Sequence, residues 1–107
     1  MLGDNIFMKL WFTVNQQTYE QFIFFIKAAS KEEAQDIYSN PSIPIKCKFH
    51  GGVIIKDKDK EHQVIIPTIK IEANSVVEAQ TIIENKLQER FNNSVIHIHG
   101  ILKIKVK

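Results

Sequence analysis

Cysteine and arginine each occur once in this chain of 107 residues, as Cys47 and Arg90. One thiol closes no internal disulfide and assembles no zinc cluster, so nothing points to an oxidising compartment and a cytosolic location is expected. With only three prolines and four glycines, the composition is not that of a disordered chain. No apolar run approaches the ~20 residues of a membrane helix. Lys27 interrupts the stretch from Phe22 to Ala29, and Asp4 and Lys9 break up the N-terminus. The start also lacks the basic n-region and small-residue cleavage site of a secretory signal. Gly-x-Gly-x-x-Gly, a Gly-Lys-Ser/Thr phosphate loop, a Gly-x-Ser-x-Gly elbow and a spaced carboxylate pair are all missing, so no cofactor is expected.

What is present is ordinary in proportion: 44% hydrophobic, 24% charged, net charge +2. That describes one soluble domain over 1–107, long enough to bury roughly two-thirds of its unfolded surface in a single core. Isoleucine, lysine and asparagine supply 18, 13 and 7 residues. Such a bias is expected of an AT-rich genome, as in a low-GC bacterium or a phage or plasmid living in one.

The sequence repeats itself. Lys-Ala-Ala-Ser-Lys-Glu-Glu-Ala-Gln at 27–35 lies over Glu-Ala-Asn-Ser-Val-Val-Glu-Ala-Gln at 72–80, sharing Ala28/Ala73, Ser30/Ser75, Glu33/Glu78, Ala34/Ala79 and Gln35/Gln80. Ser-x-x-Glu in both copies is a capping box, in which the serine oxygen accepts from one orphan amide and the glutamate reaches back to another. Behind the boxes, Ala34, Ile37 and Tyr38, and then Ala79, Ile82, Ile83, Leu87 and Phe91, recur at helical spacing. Asn40-Pro41 should end the first helix and Asn92-Asn93 the second. Beyond the helices, Cys47-Lys48-Phe49-His50-Gly51 lies over Ile96-His97-Ile98-His99-Gly100, with about one helical turn added to the second copy.

Period-two alternation marks the strands. Ile45, Cys47, Phe49, Val53 and Ile55 alternate with polar residues, as do Ile96, Ile98, Leu102, Ile104 and Val106. Further strands are expected over Phe7–Val14, Phe22–Ala28 and Val64–Ala73, with hairpin tips at 15–18 and 57–61 and Pro67 at a strand start or on an edge. The fold expected is therefore α+β. Internally duplicated ββαβ units, about 6–51 and 52–107, form a mainly antiparallel sheet with two helices on one face, ferredoxin-like or related, and a pseudo-twofold relates the halves.

On the face away from the helices, parity collects Lys9, Lys27, Lys46, Lys48, Lys56, Lys70, Lys103, Lys105 and Lys107, with Glu72 the one acid. The helices lean the other way through Glu32, Glu33, Asp36, Glu78, Glu84 and Glu89. A nearly neutral total thus conceals a dipolar molecule able to steer an anionic partner to one side. Phe7, Trp11, Ile23, Phe25, Ile54, Val95 and Ile101 share the lysines' parity. Lysine interleaved with aromatics on an open sheet suits single-stranded nucleic acid, whereas an apolar open face suits a subunit or partner interface. Scarce arginine counts against the nucleic-acid reading, since arginine supplies the bidentate and stacking contacts such surfaces favour.

His97 and His99 project from one strand face and His50 is the repeat-mate of His99. They could chelate a metal or act as an acid/base pair. The hydroxyls that two-histidine phosphoesterases carry as His-x-Thr or His-x-Ser are missing from His97-Ile98-His99 and His50-Gly51-Gly52, so solvated strand histidines are expected and no metal site is. Cys47, with inward parity, is expected to be a packing residue. The functional expectation is a small non-enzymatic interaction protein, an adaptor or inhibitor of the kind a mobile element carries. It would dock a larger protein through the sheet face or an edge and self-associate as a dimer. The candidate binding face is Lys9, Trp11, Phe25, Lys46, Lys48, His50, Lys56, Lys70, His97, His99, Lys103 and Lys105. The alternatives are a single-strand nucleic-acid module on the same face and, behind it, a His50/His97/His99 phosphodiesterase.

Overall fold

Two serine caps start the helices, and five strands complete the seven elements of the described residues. The computed structural model describes the backbone of residues 5–15 and 18–107 and the side chains from residue 19 onward. It runs β1 (Asn5–Asn15), β2 (Thr18–Lys27), α1 (Lys31–Ser39), β3 (Ile45–Asp57), β4 (Lys60–Ala73), α2 (Val76–Arg90) and β5 (Val95–Val106).

Both helices start as their sequence requires. Ser30 Oγ accepts from the Glu33 amide at 3.0 Å and Ser75 Oγ from the Glu78 amide at 3.1 Å. The glutamates do reach back, but one residue further than a standard capping box: Glu33 Oε1 accepts from the Ala29 amide and Glu78 Oε1 from the Asn74 amide. α1 stops at Ser39, where the Asn40 side chain accepts from the Ser42 amide at 2.8 Å. α2 stops at Arg90, just ahead of Asn92 and Asn93, both in the left-handed region that asparagine tolerates.

The strands form one mixed sheet in the order β1-β2-β5-β3-β4. β1/β2, β5/β3 and β3/β4 are antiparallel, while β2/β5 is parallel. This upholds the α+β class but not the symmetric arrangement of two equal halves. β4 and β5 run parallel with β3 between them, a split crossover carried by α2; β2 and β3 run antiparallel with β5 between them. Ile26, Ile104 and Cys47 are neighbours across three strands, so α1 leaves and returns at the same end of the sheet. The reason is mechanical. The tip at Lys58-Asp59 forces β4 antiparallel to β3, whereas β2 reaches β5 with no hairpin to reverse it. A twofold through the sheet would need those outer strands to run oppositely.

At the centre Gly51 lies opposite Gly100, with His50 opposite Ile101 on one side and Gly52 opposite His99 on the other. A Cβ on Gly51 would run into the His99 carbonyl oxygen and Gly100 Cα, and one on Gly100 into the His50 carbonyl oxygen and Gly51 Cα. The two backbones approach as only glycine permits.

The helix-facing side of the sheet is the core: Phe22, Phe24, Ile26, Ile45, Phe49, Val53, Ile98 and Leu102 pack with Ala34, Ile37, Val76, Ala79, Ile83 and Leu87 from the helices. Phe22 meets Phe49 edge-on at 5.7 Å and Phe24 meets Tyr38 of α1 at 5.2 Å. Each fully buried phenylalanine contributes about 1.5–3 kcal/mol relative to exposure. No helix among the described residues is long and apolar enough to cross a membrane.

The register shifts at three places, once between Thr13 and Asn15 in the β1/β2 pair and at two bulges further along the chain. In β4 the register jumps between Phe49 and Gly51, so that Pro67 and Thr68 together oppose His50 and the proline costs the edge strand no ladder bond. In β5 the register slips at Ile96, which turns Val95 inward to 2% exposure. The Gln88 side chain brackets Val95, donating to its carbonyl and accepting from its amide. Val95 thus leaves the outward set to which strict parity assigns it.

Gly51→Ala and Gly100→Ala are each expected to lower unfolding free energy by about 3 kcal/mol or more in urea titrations. A cost below about 1 kcal/mol for both would show that β3 and β5 separate without penalty.

Candidate functional site

Both helices cover one side of the sheet; among the described residues no element covers the other, and strand register dictates what stands together on it. Side chains from β2, β5, β3 and β4 line up in cross-strand rows. Phe25, Lys103, Lys48 and Lys70 form one row; Lys105, Lys46 and Glu72 form the next toward the α1 end. Moving the other way come Ile23, Ile101 and His50, then Gln21, His99, Gly52 and Ile65, then Tyr19, His97, Ile54 and Gln63.

The first two rows enclose a concavity of about 790 Å³, lined by Phe25, Ile101 and six lysines: Lys27, Lys46, Lys48, Lys70, Lys103 and Lys105. The one carboxylate there, Glu72, is held by Lys107 at 2.6 Å, and that bond together with the ammonium charge lowers its pKa. Lys48 stands directly opposite two other lysines. Like charges facing across a ladder destabilise a sheet. Solubility alone would be served by alternating signs.

The face proposed from sequence is therefore assembled in part. Phe25, Lys46, Lys48, Lys70, Lys103 and Lys105 come together, and Lys27 joins them. His50, His97 and His99 sit in the adjoining rows rather than in the concavity. Lys56 lies opposite Glu61 near the far hairpin, away from the six lysines of the concavity. Phe7, Lys9 and Trp11 fall in register with Phe25, Ile23 and Gln21, but their side chains lie outside the described residues.

The histidines are half-buried. His97 and His99 stack with ring centroids 5.6 Å apart, and burial, aided by the His99 charge, lowers the His97 pKa. His99 folds over Gly52, its Nε2 3.3 Å from where a Cβ would stand. His50 Nδ1 hydrogen-bonds with Thr68 Oγ1 at 3.1 Å, so the β4 bulge brings a hydroxyl to His50 that the local motif lacks. No such hydroxyl contact accompanies His99 among the hydrogen bonds described. Nor does any group of three or more His, Cys, Asp or Glu suited to a metal form among the described residues. Cys47, 3% exposed, has its thiol pushed up to about 12 by burial and packs as expected.

One polar cluster escaped the sequence reading. Glu20 is fully buried on the helix side, with neither carboxylate oxygen hydrogen-bonded. Burial first, and the nearby Glu84 of α2 second, push its pKa up to about 8. Glu84 and Gln80, one turn apart on α2, are also buried, and Gln80 Nε2 has no partner. The signal was available: Glu20 shares the inward parity of Phe22, Phe24 and Ile26.

Comparison with protein-family models, with curated proteins and with solved structures gives no match.

Glu20 is protonated in the fold at neutral pH and ionised when the chain unfolds, so folding takes up a proton. Stability should fall as pH rises from about 4.5 to about 8 and level off above. The loss is expected to be a few kcal/mol, at most about 5. Glu20→Gln should flatten this profile in chemical denaturation and exceed the wild type in stability at pH 9; an unchanged slope would refute the assignment.

Proposed function

We propose that this chain is a non-enzymatic interaction protein that captures an anionic partner on the open face of its sheet. One observation carries the reading: Lys103, Lys48 and Lys70 stand side by side in a single row, reinforced by Lys27, Lys46 and Lys105 around one concavity. Such a row costs stability in the isolated protein, and a ligand that neutralises it recovers that cost. An adaptor or inhibitor needs nothing more: a rigid sheet, a complementary charge and an apolar lining from Phe25 and Ile101.

The same charge sets lysines against lysines if two copies meet through this face. We therefore assign the self-association expected from the sequence to the β4 edge, where Ile65 is 85% exposed. The phosphodiesterase alternative has Thr68 beside His50 in its favour and, among the described residues, no matching hydroxyl at His99, so catalysis forms no part of the proposal.

Heparin-affinity chromatography tests the reading. Wild-type protein should be retained at low salt and released as salt rises, and Lys103→Glu with Lys105→Glu should abolish retention while leaving the fold intact by circular dichroism. Lys31→Glu with Lys86→Glu, on the helices, should retain wild-type behaviour; equal loss in both pairs would reject a face-specific site.

A further inference from the structure

Two imidazole nitrogens beside the lysine rows are left without use by the fold. His50 and His99 are mates across the Gly51/Gly100 approach, and each has an Nε2 shielded from water with no hydrogen-bond partner. His50 is anchored at its other nitrogen by Thr68, and His99 rests on the bare backbone of Gly52. A shielded polar atom without a partner is costly, and native structures leave few of them except where a ligand, ion or water completes the contact. Both residues are half-buried on an otherwise open face, and a ligand there requires each ring to turn its Nε2 outward.

A metal ion suits these two groups poorly. No third ligand of the usual kind joins them among the described residues, and Lys48 and Lys103 stand in the next row. A phosphate suits them well, because a protonated imidazole donates from Nε2 and the neighbouring ammonium groups favour the same anion.

We propose that the occupant of the open face is a single-stranded nucleic acid whose backbone runs along β3 and β5, from the lysine concavity onto the His50–His99 pair, which binds one phosphate. This rests on the reading of the face as an anion-binding surface and names the anion. Along the strands, same-face positions recur at about 6.6–6.8 Å. Charge therefore repeats as Lys46, Lys48 and His50 on β3 and as Lys105, Lys103 and, past Ile101, His99 on β5. Phe25, Ile23 and Ile101 lie between and beside these charges, an apolar floor that suits bases and has no use for the aliphatic stems of an acidic peptide. Lysine without arginine supplies point charges, which fits backbone contact without sequence readout.

The groups facing the pair are few. His50 faces Ile101 on β5 and Thr68 on β4, with Lys48, Lys103 and Lys70 in the adjoining row. His99 faces Gln21 on β2 and Gly52 on β3 and stacks on His97. In register beyond Gln21 and Ile23 come Trp11 and Lys9 of β1. Among the described residues no carboxylate stands in these rows; Glu72 and Glu61 lie toward opposite ends of the sheet. Because imidazole is the side chain whose charge changes between pH 5 and 8, a phosphate bound at the pair predicts binding that tightens as pH falls.

Fluorescence anisotropy with a labelled 12-nucleotide single strand, at fixed salt and pH 8.0, 7.0 and 5.5, provides the test, with poly-glutamate of equal charge as competitor. Wild-type protein should bind the oligonucleotide at pH 8.0 and about tenfold or more tightly at pH 5.5. His50→Gln with His99→Gln should weaken binding at pH 5.5 and lose most of that gain. In the wild type, the ring signals of His50 and His99 should shift on titration with the oligonucleotide in two-dimensional NMR, which reads the contact without any substitution. A pH gain unchanged in the double variant, or ring signals that do not move, would overturn the histidine contact. Poly-glutamate displacing the strand at equal charge concentration would overturn nucleic acid in favour of an acidic protein. Failure of both polyanions to bind at low salt would overturn the anion-binding face itself.

Discussion

The meeting of β3 and β5 at Gly51 and Gly100 is the constraint on which the rest of the structure depends. Two backbones pass too closely there for any Cβ, and that contact sets the register of the two central strands. From the register follow both surfaces of the sheet. On one side, Phe49, Val53, Ile98 and Leu102 meet the helices. On the other, Lys48 is brought beside Lys103 and His50 is set diagonally from His99. A one-residue slip would exchange the two faces, burying lysines under α2 and exposing the core.

The local signals in the chain were readable because their physics is local. Ser30 and Ser75 cap helices wherever the rest of the chain goes, since the groups they satisfy lie within one turn. Parity likewise assigned Lys46, Lys48, Lys70, Lys103 and Lys105 to one face, because a strand has no choice about where alternate residues point. It failed where the backbone inserts an extra residue. The bulge at Ile96 reverses Val95, and the bulge at Pro67-Thr68 is what carries Thr68 to His50. Nothing in the local pattern announces either.

Topology was less legible. Two copies of the same strand and helix pattern suggest two equivalent halves, yet β2 joins β5 in parallel while β4 joins β3 antiparallel. Pairing between distant strands is decided by which closed arrangement buries Phe22 and Phe24 under the helices, a global condition that a repeat in sequence does not report. Glu20 shows the complementary failure. Its inward position was visible in the alternation, but a charge in a core position is easily taken for an exception, and its isolation from any hydrogen-bond partner becomes evident only in three dimensions.

The central claim is that the sheet face away from the helices, and no other part of the surface, receives an anionic strand. Lysine-specific chemical labelling with mass-spectrometric readout tests it most directly, comparing each amine with and without a saturating single-stranded oligonucleotide. Protection of Lys48, Lys70 and Lys103 with Lys31, Lys58 and Lys86 left fully reactive is the predicted result. Equal reactivity of all lysines in both states, or protection centred on the helices, would contradict it.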